Sequence, residues 1–104
     1  MAKRDGNEGG DAPRNEAKQQ PTIGRTLHVN IGTEKEPRWR PAVVVEDWGG
    51  KGSVNVQLFT DGDNDFQALH DNGFCKLKSP PAVLWLTSVT EGEATRNWRW
   101  PPRS

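Results

Sequence analysis

From Thr26 onward, apolar side chains recur at every second position in short runs, and this alternation is the strongest constraint on the fold. Leu27, Val29 and Ile31 share one face of a first run. Val54, Val56 and Leu58 share one face of another, with Asn55, Gln57 and Phe59 on the opposite face. A period of two is the signature of a half-buried strand, not of a helix. The β-branched run from Pro41 to Trp48 reads as a further strand. Pro41 has no amide to donate, so it belongs at a strand start or on an edge. Ala82 to Val89 gives a fourth strand, with Trp85 expected in the core. Trp98-Arg99-Trp100 gives a short fifth strand, closed by Pro101-Pro102. Turn residues fill the gaps at 32–37, 49–52 and 61–65. Between 66 and 81 the period is lost; Phe66 to His70 allows one helical turn, and Pro80-Pro81 stops any regular element. Five short strands with no long helix predict an all-β domain. The expected architecture is a small five-stranded SH3-like barrel or a strongly bent antiparallel sheet.

The first 20 residues contrast with this. Their only apolar members are Met1, Ala2, Ala12 and Ala17. Such a segment cannot bury enough area to offset the entropy of ordering, so 1–20 is expected to be a disordered tail and 21–104 a single small all-β domain. A core built from roughly 80 residues is marginal, which favours support from a partner or from self-association. Lys and Arg number 14 and Asp and Glu number 14. Phosphate neutralisation needs a basic excess, so this balance disfavours nucleic acid as a partner. A single cysteine, Cys75, excludes an intramolecular disulfide and a multi-cysteine metal site, and fits a small, partly buried thiol in a reducing compartment. No run has the length of a membrane helix and the N-terminus lacks the apolar core of a signal peptide, so a cytoplasmic protein without membrane contact is expected.

Chemistry-bearing motifs are few. Asp61, Asp63 and Asp65 alternate as in the first half of an EF-hand calcium loop. The sixth loop position, however, is Phe66 instead of glycine, and the twelfth is Asn72 instead of glutamate. The segment therefore reads first as an Asp/Gly/Asn turn and is only a weak metal candidate. Gly49-Gly50-Lys51-Gly52 joins two strands, whereas a phosphate loop leads into a helix. His28 and His70 are the only histidines, and no nucleophile elbow or other catalytic spacing occurs. Neither an enzyme nor a cofactor is expected. What stands out is five tryptophans and no tyrosine. Trp39 is bracketed by Arg38 and Arg40, and Trp98 and Trp100 are two apart on one strand face. Tryptophan and arginine on a surface favour recognition of proteins or of stacked bases. The candidate binding residues are thus Arg38, Trp39, Arg40, Trp48, Trp98 and Trp100.

Several strings in order, Ile23-Gly24-Arg25-Thr26, Arg40-Pro41-Ala42-Val43-Val44-Val45, Val54 to Gly62, Leu84-Trp85-Leu86-Thr87-Ser88-Val89 and Trp98-Arg99-Trp100-Pro101, resemble a widespread family of short, uncharacterised proteins of tailed bacteriophages. The resemblance spans about 22–101 and leaves the tail outside. It implies a phage origin and expression in the host bacterial cytoplasm, with virion association as an alternative; it implies no catalytic residues. In that setting the expected function is that of a non-enzymatic accessory binding protein acting on a host macromolecule, or of a minor virion component. A protein partner or self-association is the expected mode. The alternatives are a sponge sequestering a nucleotide-like immune signal of the host, and a barrel binding single-stranded nucleic acid.

Overall fold

The structure, a computed structural model, describes residues 19–76 and 78–102. The tail expected over 1–20 lies, up to residue 18, outside the described residues. Five strands follow: β1 (Thr26–Asn30), β2 (Trp39–Asp47), β3 (Val54–Phe59), β4 (Val83–Val89) and β5 (Trp98–Arg99). A short 3-10 turn, Gly62–Asp65, runs directly into the helix α1 (Phe66–Asp71) between β3 and β4. The strands form one antiparallel sheet in the order β4-β3-β2-β1-β5.

Alternation explains the inner face. Leu27, Val29, Ala42, Val44, Val54, Val56, Leu58, Leu86, Val89 and Trp98 are buried there, with Ile31 just beyond β1. Leu69 of α1 and Phe74 after it complete the core from that side. The Asn72 side-chain amide donates to the Ile31 carbonyl at 2.8 Å and so ties the helix end to β1. Cys75 is half-buried against the same cluster.

β2 begins two residues before Pro41, because Trp39 and Arg40 already pair with Asn30 and Val29. The proline is accommodated by its direction. The Arg38 carbonyl accepts from Ile31 and the Val44 amide donates to Arg25, so even-numbered residues of β2 turn their polar backbone toward β1. Pro41 turns its nitrogen the other way, where the pairing with β3 has ended at Ala42 opposite Leu58.

Asn55 sits where both neighbouring strands slip register. The β2–β3 pairing shifts between Val44 and Glu46, and the β3–β4 pairing shifts between Val54 and Val56. The extra residue on each side bends its strand. The Asn55 side-chain oxygen accepts from the Ser88 amide at 3.0 Å and from the Trp48 indole at 2.8 Å, so one buried acceptor stabilises both irregularities. Ser88 is held at φ 54, a left-handed conformation uncommon for a non-glycine residue.

Of the two expected architectures, the bent sheet is the observed one. The edges β4 and β5 approach at one end only. The Trp98 amide donates to the Thr90 carbonyl at 2.9 Å and the Gly92 amide to the Trp98 carbonyl at 3.0 Å, around a single bridge between Glu91 and Trp98. Trp98 lies at this junction, fully buried, and its indole donates to the Gly52 carbonyl at 2.7 Å. It therefore links β5 to the core and to the loop between β2 and β3. Trp98→Ala is expected to cost about 3–5 kcal/mol, as removal of a buried large aromatic does. Urea unfolding followed by circular dichroism would measure it.

Candidate partner-binding face

Every side chain that alternates away from the core lies on the outer face. Register aligns these residues in rows. One row runs Trp85, Gln57, Val43, Thr26 across β4, β3, β2 and β1. The neighbouring row carries Val83 and Phe59, then Pro41, His28 and Arg99. The helix packs on the inner side, so it does not cover these rows. Trp85 is 60% exposed, Phe59 42% and Val83 40%, which makes an apolar strip along the β3–β4 side.

Trp85 thus contradicts the expectation that it is core. β4 is apolar at both parities, and its pairing with β3 turns Leu84 and Leu86 inward and Val83 and Trp85 outward. The burial preference of tryptophan yields to register, because a one-residue slip would expose both leucines.

The outer face ends at β1 and β5 in a polar cluster. The Arg99 guanidinium lies 4.0 Å from the Trp39 ring centroid, a cation–π stack that occupies one side of that indole. His28 is the cross-strand neighbour of Arg99. Burial, and then the Arg99 charge, hold the His28 imidazole below its ordinary value, so it is neutral at pH 7. His28 Nδ1 and Arg99 Nε are both buried without a hydrogen-bond partner among the described residues.

The other sequence candidates are dispersed. Arg38 and Arg40 flank Trp39 in sequence, yet Arg40 points to the inner side, in register with Val29. Arg40 grips Asp65 with two bonds, Nε to Oδ2 at 2.7 Å and Nη2 to Oδ1 at 2.6 Å. Arg38 adds a third bond to Oδ1 at 2.9 Å and a fourth contact to the Asn64 carbonyl at 2.7 Å. The Asp61 amide donates to Asp65 Oδ2 at 2.7 Å. Trp98 is core and Trp100 is half-buried, edge-on to Trp98 at 5.5 Å with Arg25 over its ring. Trp48 is exposed near the tip of the β2–β3 hairpin, its indole nitrogen bound to Asn55. The six candidates therefore do not form one surface; Trp39 alone belongs to the outer face rows, beside Arg99.

The Asp61, Asp63, Asp65 series is likewise divided. Asp65 is buried with both oxygens turned to the arginines, Asp61 accepts from the Asn64 amide at 3.1 Å, and Asp63 is exposed. Among the described residues, no three His, Cys, Asp or Glu side chains gather as a metal site. A separate open cleft of about 410 Å³ lies between the β1–β2 loop and α1, lined by Thr33, Glu36, Arg38, Gln67 and Asp71 among others. Its lining mixes both charge signs and includes no aromatic residue.

Two residues organise this region. Asp65, a weak metal candidate in the sequence, holds the two arginines instead. Asn30, outside the sequence candidates, is the other: its oxygen accepts from the Gly32 and Arg38 amides, and its amide donates to the Thr33 and Glu93 carbonyls, all within 3.0 Å. The backbone at Gly32 passes so close that an added Cβ would lie 2.3 Å from the Glu36 carbonyl oxygen. The sequence marks for these hubs are weak, since Asn and Asp in turns are common.

Comparison with protein-family models, with curated proteins and with solved structures finds no match to this chain. Among the described residues no helix is long and apolar enough to cross a membrane.

Burial by itself would raise the Asp65 carboxyl, but the bonds from Arg40, Asp61 and Arg38 outweigh it and hold the group below the usual carboxylate range. The folded protein therefore binds a proton at Asp65 less readily than the unfolded chain. The resulting stabilisation is complete above the ordinary carboxylate value and is lost as pH falls through it toward the lowered folded value. Asp65→Asn should flatten this part of the acid limb of stability against pH. At pH 7 it should cost about 2–3 kcal/mol, less than a fully buried pair, because both guanidiniums reach solvent. Chemical denaturation at a series of pH values measures both effects.

Proposed function

We propose that the chain is a non-enzymatic binding protein whose outer sheet face docks a protein partner. The observation that carries this is the strip of Trp85, Phe59 and Val83, exposed together on a sheet face that no helix covers among the described residues. Large apolar side chains clustered on one exposed face are costly unless they are covered in use. Tryptophan and phenylalanine also supply much of the binding energy at protein interfaces. The partner surface is expected to be apolar and weakly charged, because the strip carries no ionised group.

The resemblance to short phage proteins supports an accessory role toward a host protein in the bacterial cytoplasm, or a minor place in the virion. A nucleotide sponge is less favoured on geometric grounds. Arg38 and Arg40, which would hold its phosphate, are engaged by Asp65, and one face of Trp39 is occupied by Arg99.

The test begins with affinity capture from host bacterial cytosol, with the retained protein identified and the complex rebuilt from purified components. A double variant, Trp85→Ser with Phe59→Ser, should weaken the rebuilt complex at least about 100-fold, as loss of two central aromatic contacts does. Its melting temperature should stay close to that of the native protein, since both side chains are exposed. An unchanged affinity in the double variant would remove the proposed surface. A large thermal shift with a cyclic nucleotide, in the absence of any protein partner, would favour the sponge instead.

A further inference from the structure

Two walls face each other on the helix side of the sheet, away from Trp85, Phe59 and Val83. One is the loop between β1 and β2; the other is α1 with the 3-10 turn ahead of it. The walls are fastened to each other at both ends. The Arg38 guanidinium donates to the Asn64 carbonyl at 2.7 Å, and the Asn72 side-chain amide donates to the Ile31 carbonyl at 2.8 Å. Asn30 holds the loop from behind through the Gly32 and Arg38 amides. Between the fastenings lies the open cleft of about 410 Å³. Gln67, Ala68, Asp71 and Asn72 line it at helical spacing. Ala68, packed against the core, is too small to fill it. The cleft is therefore set before any ligand arrives, and its volume falls within the range of ligand sites, about 300–1,000 Å³.

The charges around it point to the ligand. Arg38 uses Nη1 for Asn64 and Asp65, while its Nε and Nη2 have no hydrogen-bond partner among the described residues. That edge of a guanidinium takes a carboxylate through two parallel bonds. Trp39 lies on the other face of the sheet, so a nucleotide held here would find no ring to stack on. The opposite charge comes from Asp71 on the helix and Glu36 on the loop, one from each wall. Neither makes an ion pair among the described residues. Asp71 accepts from the Gln67 amide at 2.7 Å through one oxygen, which leaves the other for an ammonium group. From Asn64, bonded to Arg38, to Asp71 the chain rises on the order of 10 Å. An extended peptide of about three residues has its two ends that far apart. Thr33, Gln67 and Asn72 lie along the cleft as partners for its amide groups.

We propose that this cleft binds a short peptide with free ends, its carboxylate on Arg38 and its ammonium group at Asp71 and Glu36. The inference stands apart from the partner-docking reading, because the two surfaces lie on opposite sides of the sheet.

Nuclear magnetic resonance titration of the isotope-labelled full chain with tri-alanine tests it. The dissociation constant should lie below about 1 mM, with saturable shifts at the Thr33, Glu36, Gln67 and Asp71 amides. N-acetyl-tri-alanine and tri-alanine amide each lack one charged end and should bind at least about tenfold more weakly. Free alanine, whose two charges are adjacent, should give no saturation. Glu36→Gln with Asp71→Asn, both exposed, should weaken tri-alanine about tenfold while the fold persists. No saturable shift with tri-alanine up to about 10 mM overturns the proposal, and so does equal affinity for the acetylated or the amidated peptide. Trp85→Ser with Phe59→Ser should leave tri-alanine binding unaltered, so that failure of one reading is told apart from failure of the other.

Discussion

The structure depends on one constraint: the chain contains enough apolar side chains to cover only one face of its sheet. The strands contribute a single inward row each, and among the described residues the further layer is α1 with the segment after it, delivering Leu69 and Phe74. Small domains bury a low fraction of their surface, so a second covering layer is beyond a chain of this size. The bending of the sheet, the role of Trp98 and the bare outer face all follow from this shortage.

Bending partly compensates. With register shifts in both β2–β3 and β3–β4, the sheet curls until Thr90 to Gly92 reach Trp98. One side chain, Asn55, holds both shifts, which concentrates the curvature at a single buried hydrogen-bond acceptor. The gap that curling leaves is filled by an indole large enough to span it and polar enough at one end to bond the Gly52 carbonyl. A charge cluster around the buried Asp65 holds the segment ahead of α1. Asp65 draws Arg38 and Arg40 together and fixes the 3-10 turn ahead of α1, so the helix is presented to the core at a defined position. Because that cluster consumes Arg40, it also removes that side chain from the pool of groups that could meet a ligand.

The fold was largely legible in the sequence and the candidate surface was not. Leu27, Val29, Val54, Val56 and Leu58 announce their strands and inward face by alternation, a local property that survives without knowledge of the neighbours. Trp85 shows the limit. Its strand is apolar at both parities, so alternation is silent about which parity faces inward. Arg40 shows the same limit from the polar side: beside Trp39 in sequence, it turns inward because strand neighbours alternate, and its partner Asp65 lies 25 positions away.

The sequence by itself determined the five strands, the turns between them, the short helical segment and the absence of a charge excess. These rest on period, turn chemistry and composition, each of which acts within a few residues. Only the tertiary structure decided that Trp98 is core while Trp85 is surface, that Arg38 and Arg40 belong to Asp65, and that β4 is an outer strand of the described sheet. Those outcomes depend on register between strands and on strand order in the sheet, and both are set by the sum of contacts across the whole domain.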